Sequence, residues 1–410
     1  MSKRHPAFPL NRRQVLRAGL YGLGASAMPS LFARAMAADG TEAHPERILV
    51  VVELDGGNDG LNTVVPYGDD AYYRQRPSIG IPAKDVLRID DYFGFHPSMG
   101  SFQRLYDQGK LAIVHGCGYE NPILSHFASM GFWHTGVPHG GETLGWVGRI
   151  ADAMRPDGAE NLIVNIGKAQ SLAVRSRVHA PLVFDDPDRF LREGRHEQAP
   201  VLAQLTGDRE SPNATLAYLS DVAESARKSA AFVRQAWSDY HTPVSYGLEL
   251  PLSQDLRKVA ALIDAGMPTR LYYVKYRGNS FDTHVHQVDL HARLLTYAVD
   301  AMDGFLEDIA RLGRANEVAM MVFTEFGRRV PENASGGTDH GTATPMFVAG
   351  HTVKGGQYGA PPSLTELDDG NLIYTTDFRR VYATMIGEWL GRSDTAQLLR
   401  GDFAGLNMFA

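Results

Sequence analysis

Arg47–Leu54 (RILVVVEL) is a β-branched apolar run that stops at the turn-rich Asp55-Gly56-Gly57-Asn58-Asp59-Gly60. That is the pattern of a buried strand feeding a loop. Leu111–His115, Arg270–Tyr276, Val318–Phe323 and Met346–Ala349 repeat it, each continuously apolar rather than alternating, as strands covered on both faces are. Helical periodicity fills the spaces, over Ala214–Tyr240, Ser253–Ala265 and Val288–Leu312. Thr376-Asp377-Phe378 offers a cap for a helix over Val381–Leu390, with Gly391 as its stop. The mostly βα order predicts an α/β fold with a mostly parallel central sheet and helices on both faces. Residues 185–213, rich in charge, Pro and Gly, are the candidate loop excursion, and neither a repeat nor a low-complexity tract stands out.

With 410 residues and 44% apolar content the chain can build a large core. Its formal charge of −7 hides an asymmetry. Residues 1–37 hold six Lys and Arg and no acid, leaving 34 basic against 47 acidic groups, or −13, in the rest. An acidic body disfavours nucleic acid as a partner. Arg12-Arg13, then the weakly apolar Ala18–Phe32 and Ala35-Met36-Ala37, follow a signal-peptide plan similar to twin-arginine export signals. Asn11 and Val15 depart from the commonest residues at their places. Ala18–Phe32, broken by Gly and Pro, falls short of the roughly 20 residues that span a bilayer. The expectation is a signal at 1–37 and a single exported, periplasmic domain over 46–410 with no stable membrane span. Cys117 is the only cysteine, so neither disulfides nor cysteine-rich metal sites are available, and its glycine neighbours suggest a packing role.

In open parallel sheets, ligand sites lie beyond the carboxyl ends of the strands. At that predicted edge stand Asp55, Ser125-His126, Asp282-Thr283-His284-Val285-His286, Glu325-Phe326-Gly327-Arg328 and Asp339-His340. Asp55 with its glycines also reads as an ordinary turn or a calcium-like loop. Glu325, at the end of a buried run, must be paired, solvated or bound to a cation. Divalent cations held by Asp, Glu and His polarise phosphoryl or sulfuryl oxygens and lower the pKa of a bound hydroxyl. The His-carboxylate mixture favours zinc, manganese or iron over calcium or magnesium. A serine beside such an ion can act as nucleophile.

The set Val52–Asn62, Ser125-His126-Phe127, Phe281–His284, Thr324–Arg328, Gly337–Gly341 and Thr376–Arg379 resembles an exported, sulfatase-like bacterial family of unknown function. That family lies within the alkaline-phosphatase-like superfamily. The resemblance implies a three-layer fold, one or two divalent metals, and metal-dependent hydrolysis or transfer of phosphate or sulfate esters. It makes Ser125 the nucleophile and Asp55, Asp282 and His340 metal-site residues; Glu325 and Asp339 join them as candidate metal-site residues from their place at the predicted sheet edge. The superfamily's Asp-x-x-x-His spacing points to His286 as a further ligand, whereas the family's Asp-Thr-His points to His284. Where the superfamily commonly has Asp-His, this chain has Glu325-Phe326, and His126 is a candidate replacement for the missing imidazole. Neither Ser125 nor Cys117 sits in the Cys/Ser-x-Pro/Ala-x-Arg motif of true sulfatases.

Asn58, His126 and Arg328 are candidate substrate-binding residues, Arg328 with Arg329 as an anion clamp, although paired arginines are more often solvated. His96, His115, His134 and His139 read as core or loop residues, and Phe127, Phe132 and Trp133 as one buried helical face. The leading function is an exported metal-dependent ester hydrolase or transferase. It would act on a small-molecule or envelope ester, with the twin-arginine machinery as its export partner. The alternative is a non-catalytic binding or assembly module that keeps the fold.

Overall fold

The computed structural model describes residue 44, residues 46–190 and residues 228–409. The basic segment 1–37, most of 185–213 and the first half of Ala214–Tyr240 lie outside the described residues. All five apolar runs form strands: β1 (Ile48–Leu54), β2 (Leu111–Gly118), β5 (Leu271–Tyr276), β6 (Val318–Phe323) and β7 (Thr344–Gly350). Four shorter strands complete the sheet: β3 (Ile163–Ile166), β4 (Leu182–Phe184), β8 (Gly356–Tyr358) and β9 (Thr376–Asp377). Their order is β8-β2-β7-β6-β1-β5-β3-β4, with β9 pairing β2.

β1 lies in the middle, its Leu49 in register with Leu271 of β5 and Ala319 of β6, both parallel. Its side chains alternate between two cores. Val50, Val52 and Leu54 join the core beneath α1 (Gly100–Asp107), α4 (Pro251–Asp264) and α5 (Gln287–Arg311). Leu49 and Val51 join the core of α2 (His126–Thr135), α3 (Trp146–Met154) and α6 (Arg379–Thr384). Both faces are thus covered, which is why these runs do not alternate. The result is a three-layer α/β fold. Each fully buried Val, Leu or Ile contributes roughly 1.5–3 kcal/mol, so the two cores replace the disulfides the chain lacks. Cys117 is part of the second core, and burial pushes its thiol pKa up, so it is an inert packing residue.

One strand departs from the parallel expectation. β7 runs antiparallel to both β6 and β2, which brings the loop before it, Gly337–Gly341, to the edge where β1, β5 and β6 end. The C-terminal helix is shorter than its periodicity predicts. α6 passes at Met385–Trp389 into a π-helical turn that buries Trp389, and Gly391 follows at φ 70°. Among the described residues no helix is long and apolar enough to cross a membrane.

Candidate metal centre

Two groups of carboxylates and imidazoles form near the ends of the central strands. The first is built on β1 and β5. Glu53, fully buried, lies 2.9 Å from His134 Nε2, accepts from the Tyr273 hydroxyl, and is 3.1 Å from Lys275 Nζ. Burial opposes its ionisation, but His134, Lys275 and Tyr273 outweigh burial and lower its pKa to about 2. Lys275 Nζ also lies 3.0 Å from Asp55, whose other oxygen accepts from the Asn279 N–H at 3.0 Å. Asp55 is therefore matched by an ammonium of this same chain, and burial raises its pKa.

The second group surrounds Asp282. His126, Asp282 and His340 each offer a ligand atom, all within 4.8 Å of one another. His284 joins them, its Nε2 3.0 Å from Asp282 Oδ1 and 3.0 Å from His340 Nε2. Each imidazole has an acceptor at Nδ1. His126 Nδ1 lies 2.7 Å from Glu325 Oε1, His340 Nδ1 lies 2.8 Å from the Leu124 carbonyl, and His284 Nδ1 lies 3.3 Å from Asp339 Oδ1. With the proton on Nδ1 in each ring, three Nε2 lone pairs turn toward one carboxylate. This anchoring of the outer nitrogen is how metal-binding histidines are usually oriented. His126 Nε2 is buried without a hydrogen-bond partner, as an atom awaiting a cation would be. The donor set fits a divalent ion that accepts imidazole and carboxylate.

The hydrogen bond that His126 donates to Glu325 raises the pKa of His126, whereas burial lowers that of His340. Burial works against ionised Asp282, but Arg328, then His284 and His126, hold its carboxyl below the ordinary value. Behind the cluster, Gly57 adopts φ 71°, and a Cβ there would fall 2.3 Å from the Phe326 ring. That ring packs against both His126 and His340, with centroids 4.8 and 4.7 Å away. Gly57 is thus needed for both its backbone and its space.

Several expected roles change. Glu325 is fully buried, and its carboxylate is occupied by His126, the Gly56 N–H and the Thr324 hydroxyl. It orients His126 instead of standing in the metal-ligating group. Asp339 likewise orients His284. His126, offered both as a substrate-binding residue and as a replacement imidazole, faces Asp282 and so stands with the second of these readings. Arg328 is no clamp: it is 1% exposed and spends its donors on the carbonyls of Gly56, Gly57, Phe281 and Thr338 and on Asp282. It ties three loops of the site together. Arg329 reaches Asp369 at the surface. Asn58 is buried, with its side chain already bonded to Thr63 and His291. His284, and not the exposed His286, lies against Asp282. Asp55 stands in the first group with Lys275. Ser125 is exposed, caps α2 without a side-chain hydrogen bond, and sits between Leu124, which holds His340, and His126. Phe127 is 92% exposed rather than part of a buried face.

Residues 46–387 match the family described as "Protein of unknown function (DUF1501)". The chain belongs to this family. Its span contains both groups, from Glu53 to His340. No curated protein sequence matches the chain. Solved structures similar to this family member include the C-terminal periplasmic domain of EcEptC from Escherichia coli in complex with Zn, at 11% identity and TM-score 0.41. That match covers 86% of this chain and 84% of the other. A protein in the alkaline phosphatase superfamily from Vibrio parahaemolyticus aligns at 10% identity and TM-score 0.39, covering 89% and 76%. The PsFucS1 sulfatase from Pseudoalteromonas sp. aligns at 11% identity and TM-score 0.37, covering 93% and 75%.

The sequence reading missed Glu53, His134, Tyr273 and Lys275 as one unit. A signal existed: Glu53 and Lys275 are charged residues inside otherwise apolar strands, where a charge must find a partner. It also missed the clamp beneath the cluster. Gln287 accepts from the Thr283 and Thr338 hydroxyls and donates to Asp59, itself paired with Arg76 at 2.6 Å. That chain of bonds fixes the loops of Asp282 and His340 against each other.

Proposed function

We propose that this protein is an exported, metal-dependent hydrolase or transferase of phosphate or sulfate esters, with Ser125 as nucleophile and one divalent cation held by His126, His284, His340 and Asp282. The observation that carries this reading is the orientation of three imidazoles, each anchored at Nδ1 and turned through Nε2 toward Asp282. Zinc, manganese or iron suits such donors better than calcium or magnesium. When bound, the ion would polarise the ester oxygens and favour the ionised serine. Lys275 on Asp55 argues for one ion rather than two.

Ser125 projects from the N-terminus of α2, where no side chain caps the first amides, so those N–H groups are available to a tetrahedral anion. Ser125 Oγ, its proton given up to solvent, forms the bond to phosphorus as the bond to the ester oxygen breaks, and the departing alkoxide takes a proton from water to leave as the alcohol. Water or an acceptor alcohol then takes the group from serine. Phosphate esters are favoured over sulfate esters because the formylglycine motif is missing. Export rests on residues 1–37, with the twin-arginine machinery as partner and an envelope or small-molecule ester as substrate.

Metal analysis of the purified protein, with a phosphomonoester, phosphodiester and sulfate-ester panel, tests this. The expected result is about one ion per chain and turnover abolished in Ser125→Ala with the metal retained. Metal-free protein without Ser125-dependent turnover would instead favour a binding module.

A further inference from the structure

Beside the cluster lies a cleft of about 480 Å³, walled by Tyr119, Pro122, Leu124, Phe326, Ile373 and Tyr374. It shares two walls with the cluster. The Leu124 carbonyl holds His340, and the Phe326 ring packs on His126 and His340. An ester seated on the cluster would therefore extend its alcohol into this cleft.

The chemistry of the lining is one-sided. Glu120 and Asp368 are exposed along it, neither is paired with a base among the described residues, and no Lys, Arg or His lines it. Asn371 lines the same cleft at 7% exposure, and its Oδ1 is buried without a hydrogen-bond partner. Two carboxylates and the negative end of an amide dipole make the lining electronegative, so the fitting ligand is cationic. Tyr119 and Phe326 are buried under other rings, but the partly exposed Tyr374 beside the carboxylates suits an alkylammonium group. The same carboxylates repel a second anionic group on the ligand.

We infer that this cleft receives the alcohol part of the substrate, and that this alcohol is partly apolar and carries a positively charged amine. Resting on the ester reading above, the substrate class is then a phosphate ester of an amino alcohol. Polyanionic esters are poor substrates.

Choline and its uncharged near-isostere 3,3-dimethylbutanol separate charge from shape. Calorimetric titration of the purified protein should show choline binding about fivefold more tightly. In the double variant Glu120→Gln, Asp368→Asn the ratio should fall to near one, and both changes are at exposed positions that the fold tolerates. Choline phosphate should likewise exceed 3,3-dimethylbutyl phosphate in kcat/KM by a similar factor. Equal binding of the two alcohols, or a ratio unmoved by the double variant, overturns the inference. Turnover of both esters without preference also overturns it while leaving the hydrolase standing. Selective choline binding without turnover of any ester supports the cleft and removes the hydrolase.

Discussion

The two clusters of carboxylate and imidazole differ in how far their imidazoles are already partnered within the chain. Around Glu53 and Asp55 the charge balance is complete within the chain, because Lys275 reaches both carboxylates and His134 and Tyr273 close on Glu53. Around Asp282, the rings of His126, His284 and His340 are held from behind through Nδ1 and turn their Nε2 atoms inward. Residue types alone therefore do not identify a metal centre. Asp282 too is paired with a cation of this chain, Arg328 at 2.6 Å, so the deciding feature is whether the imidazoles already have partners: His134 Nε2 is closed on Glu53, whereas His126 Nε2 is buried without a hydrogen-bond partner.

The strongest way to break this contrast is to remove the cation of the first cluster. Lys275→Met leaves Glu53 and Asp55 buried without their ammonium, and should cost about 3 kcal/mol, the low end for a broken buried pair because Lys275 keeps some solvent contact. Urea unfolding checks it, and a loss within 0.5 kcal/mol would show that the pairing is incidental. Glu325→Gln should weaken metal binding about 10- to 100-fold, the usual cost of losing an outer hydrogen-bond partner. Its unfolding midpoint should move much less, as titration of metal against the folded variant would show.

Acid sharpens the contrast further. Glu53 has a folded pKa of about 2 against an ordinary 4.5, so its contribution is whole above pH 4.5 and is lost as pH falls through that window to about 2. The slope there is up to about 1.4 kcal/mol per pH unit. Imidazole-bound metal leaves at milder acidity, as protons compete for the nitrogens. A pH series should show metal release before the fall in stability that Glu53→Gln removes; a single coincident transition would merge the two clusters into one system.

The sheet was legible because strands buried on both faces must be apolar throughout, and Ile48–Leu54 and Val318–Phe323 could be little else. Ile163–Ile166 and Leu182–Phe184 were not seen, being too short for their periodicity to stand out. At the site, sequence placed the chemistry at one sheet edge but could not separate ligand from support. Asp55, Glu325 and Arg328 look alike on paper, and only three-dimensional packing reveals that Lys275, His126 and four carbonyls already occupy them. His284 and His286 are separated by a similar accident of direction, His286 being turned out at φ 46° where α5 begins.

The central position of β1 has a temporal side. Its partners begin at Leu271 and Val318, more than two hundred residues downstream. At about 5–20 residues per second, synthesis leaves ILVVVEL without either neighbouring strand for on the order of ten to forty seconds. Such a segment is prone to pair with other chains, and long-range strand pairing is itself slow to form. The first strand of the nascent chain therefore stays unpaired for that long, and the proposed metal site is complete only once His340 has been made.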